Sequence, residues 1–185
     1  MSTFERTAAA TAVALLVAAC ATQMSAQPSA AQQPKLGRAA TAAEVAAWDI
    51  SIPPNGAGLP AGSGTAKQGA AVYAAKCVAC HGEKGAGKPA DALVGGIGSL
   101  ATARPVRTVG SYWPYATTLF DYVYRAMPIG NPMSLTYDEV YAVSAYILYL
   151  NGIVAEDAPM SATTLPLVKM PNRDGFVSDW PPQKR

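Results

Sequence analysis

Five consecutive residues, Cys77-Val78-Ala79-Cys80-His81, constrain this chain more than any other feature. Two thiols three positions apart fall on one face of a helical turn, and an imidazole follows the second thiol directly. C-x-x-C-H is the signature through which a polypeptide attaches c-type haem. The thiols add to the two vinyl groups along one edge of the porphyrin, and His81 then sits beneath the ring, where a ring nitrogen can bind iron. Other uses of cysteine fit less well. A redox C-x-x-C needs a βαβ surround, whereas here a helical pattern precedes the motif and a glycine-rich loop follows it. A structural zinc site takes four Cys or His ligands; the chain has three cysteines and one histidine, and Cys20 lies at the end of an N-terminal segment that reads as an export signal, which leaves three.

The remaining composition agrees with a modest core that a haem would help fill. Half of the 185 residues are hydrophobic, much of that alanine, and 8% are aromatic. Fourteen basic and twelve acidic residues nearly balance, and Lys and Arg form no run. Nucleic acid is therefore not an expected partner. Fifteen prolines and sixteen glycines cluster outside the centre, which predicts a helical middle with irregular arms.

The N-terminus reads as an export signal over residues 1–20, with Arg6 before an apolar run from Ala8 to Ala19 that is too short to span a bilayer. The expected location is the periplasm. Val17-Ala18-Ala19-Cys20 resembles a lipoprotein box, so lipid on Cys20 is one outcome, and cleavage after Ala21 or Ala26 is the other. Lipid on Cys20 would be the chain's one attachment to a membrane. Cys77 and Cys80 remain in either case, and no structural disulfide is expected.

Residues 21–64 read as a linker and N-terminal arm: small polar residues up to 43, a short helix near Glu44–Trp48, then turns around Asn55-Gly56 and the glycines up to Gly64. Trp48 is expected to pin the arm to the domain by packing. The domain proper is expected over residues 65–152. Thr65-x-x-Gln68 has the form of a capping box opening a helix with Val72, Tyr73 and Cys77 at helical spacing. Gly69 weakens that helix by about 1 kcal/mol against alanine, which makes sense if another helix crosses close against it. Gly82–Pro89 lacks the order of a phosphate cradle, because proline follows Lys88. It reads as a loop around the cofactor edge. Leu93–Leu100, apolar but broken by glycines, suits a loop packed on a flat cofactor.

Tyr112 and Trp113 can lie on a porphyrin with their polar ends on a propionate, although ordinary packing accounts for each ring equally well. Thr118 to Met127 reads as a threonine-capped helix with Phe120, Val123 and Met127 on one face, ended by Pro128. Thr136-Tyr137-Asp138-Glu139 is a further capping box. It opens a helix with Val140, Val143, Ile147 and Leu150 on one face and Asn151-Gly152 as its stop. This is the candidate to cross the first helix at Gly69. Residues 153–185, rich in proline, read as an extended tail. A thioether is a soft ligand, and His with Met is the axial pair of electron carriers. Met127, at a helix end, is the candidate iron ligand, with Met133 as the alternative and Met160 and Met170 as tail packing.

Together, Gly69 and Tyr73 before the haem motif, Met127-Pro128 after it, and the helix from Leu135 to Asn151 resemble the class I cytochromes c. Trp48-Asp49-Ile50, residues 58–64, residues 109–121 and residues 170–176 are further similar to the cytochrome subunits that accompany molybdenum-containing sulfite dehydrogenases and the Sox-type sulfane dehydrogenase. The resemblance implies an all-α fold around one covalently bound haem c, with His81 and Met127 as axial ligands and extended arms at both ends. It implies single-electron transfer from a molybdenum-containing dehydrogenase subunit to a downstream cytochrome or oxidase. Some Sox-type subunits carry two haems, whereas this chain has one C-x-x-C-H. Alternatives from the residues themselves are a general electron shuttle for another dehydrogenase or oxidase, and an enzyme or gas-binding cytochrome with an open iron position. No residue is identified that would oxidise sulfur unaided.

Overall fold

Side chains at both ends decide where the principal helices begin. The computed structural model describes residues 37–177 and 180, so the export signal, Cys20 and the linker up to residue 36 lie outside the described residues. Helix α1 (Ala42–Trp48) opens on Thr41 and Glu44, each capping the other's end of the first turn. Arg38 pairs with Glu44 and holds its carboxyl well down, at about 2, with Thr41 adding to the effect. The chain divides into two units, residues 1–45 and 46–185. Within the second, Trp48 is 87% exposed. The expected packing anchor is therefore not one: the indole stays in solvent, as do the other residues of α1.

Helix α2 (Ala66–Lys76) starts at the Thr65–Gln68 capping box, as its sequence predicts. Helix α6 (Tyr137–Leu150) starts at the equivalent Thr136–Glu139 box, with Asp138 and Glu139 in the favourable first turn. These two helices cross where Gly69 meets Ala142. A Cβ on Gly69 would lie 1.9 Å from the Ala142 carbonyl oxygen, so only glycine allows this approach. Tyr73 stacks obliquely on Tyr146 one turn further on, with ring centroids 5.3 Å apart.

Helix α5 (Ala116–Ala126) packs on α6 through Phe120 and Tyr141, whose centroids are 4.5 Å apart. Its start differs from the threonine cap expected at Thr118. Tyr115 occupies the N-cap with no side-chain bond, and Thr118 is exposed inside the first turn. Trp113 is extended immediately before Pro114, as residues preceding proline prefer, so the chain turns helical soon after the proline. A short helix α4 (Val109–Tyr112) with its own Thr108–Ser111 capping box also forms.

The arm and the tail close the core from outside the helices. Strand β1 (Ser63–Gly64) pairs antiparallel with β2 (Met160–Ser161), so the molecule is mostly helical with this one small ladder among the described residues. Met160, Leu165 and Met170 from the tail are 5%, 0% and 3% exposed and join the same core as Phe120, Tyr141 and Leu148. Tyr141 donates to the Pro60 carbonyl (2.9 Å), Asp121 accepts from the Ile52 amide (3.0 Å), and Asp138 accepts from the Ser63 amide (2.7 Å). No helix among the described residues is long and apolar enough to cross a membrane.

Candidate haem site

The C-x-x-C-H segment folds as one tight helical turn. Cys77 ends α2 and begins α3 (Val78–His81), and its carbonyl accepts from the amides of Cys80 (3.2 Å) and His81 (2.9 Å). Gly82 stops the turn with φ +70°, a conformation that side chains rarely adopt, and a Cβ there would meet the Gly87 carbonyl oxygen. The Tyr73 hydroxyl donates to the Gly82 carbonyl (2.8 Å) and so ties the turn to the buried face of α2.

Cys77 is half-buried and packs against the core, whereas Cys80 is exposed. Both thiols are free. Burial pushes the Cys77 thiol up to about 11, with the neighbouring Cys80 adding to the shift. Uncoupled Cys77 is therefore a neutral thiol at neutral pH.

His81 has the arrangement of an oriented ligand. Its Nδ1 lies 3.1 Å from the carbonyl oxygen of Asp91. A carbonyl only accepts, so the proton sits on Nδ1 and the Nε2 lone pair is left for a metal; such an outer partner fixes the tautomer and raises ligand basicity. Residues 82–93 are wrapped closely around this contact. Gly87 donates to the His81 carbonyl (2.7 Å), Ala90 to Cys80 (2.9 Å) and Leu93 to Gly85 (2.9 Å). Two thiols on one turn and one imidazole with its outer nitrogen engaged are the donor set that a haem c takes. Among the described residues, no group of three or more His, Cys, Asp or Glu side chains is arranged to hold a metal ion.

The remaining sequence-predicted residues divide. Met127 caps the C-terminus of α5, half-buried, with its amide on the Val123 carbonyl. Met133 is 52% exposed in the following loop, with φ +56° and its amide on the Tyr124 carbonyl (3.1 Å). Tyr112 stacks edge-on against Phe176 at 5.2 Å, faces Arg107, and accepts from Asn172 on its carbonyl (2.7 Å). It thus holds the tail. Trp113 is half-buried against the core and edge-on to Tyr122 at 5.6 Å. The Asp91 carbonyl was not foreseen, because a backbone group leaves no trace in residue type.

Residues 64–147 match the family described as cytochrome C oxidase, cbb3-type, subunit III. The fold also matches a chain in the crystal structure of the sulfane dehydrogenase SoxCD from Paracoccus pantotrophus, with a TM-score of 0.72 and 43% sequence identity over 80% of this chain and 73% of that one. The chain belongs to the cytochrome c family. Family membership implies haem c as the cofactor, for which the free Nε2 of His81 and the paired thiols are suited. None of the curated proteins matches the cytochrome.

Proposed function

We propose that this cytochrome is an exported, periplasmic mono-haem electron carrier. Its role is that of the electron-accepting subunit of a molybdenum-dependent dehydrogenase that oxidises sulfite or a sulfane sulfur compound. The observation that carries the reading is the His81–Asp91 contact within a C-x-x-C-H turn, in a chain 43% identical to a chain of a sulfane dehydrogenase complex. Cys77 and Cys80 would hold the haem as thioethers, His81 would bind iron through Nε2, and Met127 would be the second iron ligand. When bound, the haem supplies a one-electron couple at iron, and a methionine ligand raises its potential.

The protein's own part is to hold and shield that couple. The Asp91 carbonyl keeps His81 in one tautomer, and the crossing of α2 and α6 at Gly69 sets the end of α2 from which the motif projects. The chain has one histidine and, after maturation, no thiol beyond the two that the haem would take. Sulfur chemistry therefore belongs to the dehydrogenase, and electrons leave for a downstream cytochrome or oxidase. Cys20, if lipidated, would tether the assembly to a membrane.

The test is gentle purification from native cells, a pyridine haemochrome assay, and separate additions of sulfite and thiosulfate while the haem bands are followed. One haem per chain, a co-purifying molybdenum subunit and reduction by one of the two compounds are the expected results. A haem protein that purifies alone and is reduced only by dithionite would leave a general electron shuttle. Absence of covalent haem would refute the reading altogether.

A further inference from the structure

We propose that Asn151 is a positioning residue for His81: its amide clamps the backbone of Leu93–Gly95, and this segment sets the Asp91 carbonyl that orients the imidazole. The proposal rests on His81 being the iron ligand. Asn151 follows the last turn of α6 and is 9% exposed. Its Nδ2 donates to the Leu93 carbonyl (3.1 Å) and to the Ile147 carbonyl (2.9 Å), and its Oδ1 accepts from the Gly95 amide (3.1 Å). Both hydrogens of the amide nitrogen are used, and the oxygen has its partner. A buried amide satisfied in this way fixes the backbone that it bonds.

Three further observations make this a built clamp and not an ordinary helix stop. Gly95 is held on both sides, because its carbonyl accepts from Thr108 Oγ1 (2.6 Å) while its amide bonds Asn151. Thr108 is itself fixed as the cap of α4. The Asn151 side chain lies in a slot opened by Gly110, where a Cβ would come within 2.1 Å of Oδ1. Leu93, whose carbonyl the clamp holds, stands two residues after Asp91, whose carbonyl holds His81.

The segment therefore hangs between two anchors. On one side are the Leu93–Gly85 and Ala90–Cys80 backbone bonds beside the haem motif; on the other is Asn151. With the second anchor released, the Asp91 carbonyl keeps its place only on average, and the His81 Nδ1–H bond opens more often. A looser bond makes the imidazole a less basic ligand, which favours reduced iron.

The experiment uses the haem-loaded cytochrome with Asn151→Asp and Asn151→Ala. Asp keeps the acceptor for Gly95 but turns an oxygen toward the Leu93 and Ile147 carbonyls. Leu165→Ala serves as a control: it destabilises a core position in the tail, where the turn Leu165–Leu167 packs on α5. Exchange of the His81 Nδ1 proton is followed by NMR, and the reduction potential by titration. Loss of the bond to the Leu93 carbonyl, common to both Asn151 variants, predicts exchange faster by about tenfold or more, with an upward shift in potential, while Leu165→Ala leaves both readouts near wild type. Loss of haem from the Asn151 variants with retention in the control would support the proposal equally. Wild-type behaviour in the Asn151 variants, or equal changes in Leu165→Ala, would overturn it while leaving the carrier reading intact. Wild-type protein without haem would overturn both.

Discussion

Gly69→Ala is the sharpest test of how the fold presents its haem motif, because two opposing effects differ in size. Alanine improves the intrinsic helix propensity of α2 by about 1 kcal/mol. Against this, the new methyl would lie 1.9 Å from the Ala142 carbonyl oxygen and 2.9 Å from Tyr146 Cβ. Non-bonded carbons settle at about 3.5 Å, so α2 and α6 must separate by more than about 1 Å at the crossing. Overpacking of this kind costs about 1–3 kcal/mol, and the upper end applies because the obstacle is backbone in a helix and not the tip of a flexible side chain. A net loss of about 2 kcal/mol lowers Tm by about 4–8 °C in a domain of this size. Thermal and denaturant unfolding of the haem-loaded protein would measure it. Ala71→Gly, at an exposed position of the same helix, is the control and should lose only about 1 kcal/mol. A Gly69→Ala protein at least as stable as wild type would refute the reasoning, since propensity would then outweigh the crossing.

Three other outcomes follow from the same structure. Ser144 carries a hydroxyl buried on α6 without a hydrogen-bond partner among the described residues; Ser144→Ala should leave stability unchanged or raise it by about 1 kcal/mol, and a comparable loss in denaturant unfolding would reveal a partner. Burial pushes the Tyr141 phenol up to about 12. Its contribution is intact below the ordinary value near 10 and is lost as pH rises from about 10 to about 12, because the unfolded chain ionises first. Tyr141→Phe should therefore cost about 1 kcal/mol at pH 7, where the Pro60 carbonyl loses its donor, and show a shallower alkaline decline; an unchanged slope contradicts this. Met127→Ala should abolish the spectroscopic signature of sulfur ligation and lower the potential, with Met133→Ala close to wild type, and the reverse pattern would assign the ligand to Met133.

Much of the helical frame is legible in the residues. The Thr65–Gln68 and Thr136–Glu139 boxes announce α2 and α6 three residues at a time, and Gly69 implies a close neighbour before that neighbour is known. The failures have physical reasons too. Thr118 has the chemistry of a cap, but Pro114 leaves the chain free to enter the helix after Tyr115, three residues sooner. The Thr108-x-x-Ser111 pair would have signalled α4 had serine at the third position been read as a cap partner. Tyr112 has the residue type of a porphyrin contact, and the hold of its ring and carbonyl on residues 172–176 of the tail is a further role that no local pattern signals.

Local pattern is enough for the donor set, two thiols and an imidazole in register on one turn, and for the helices on either side of it. These depend on residues three or four apart, whose mutual geometry a helix dictates. Long-range packing is what brings Met160, Leu165 and Met170 into the core, pairs Ser63–Gly64 with Met160–Ser161, leaves Trp48 in solvent, and lets Asn151 reach back to Leu93 and Gly95. Such contacts join segments distant along the chain, or leave a residue without one. They depend on which surfaces meet once the α2–α6 crossing has formed, and no local pattern encodes that choice.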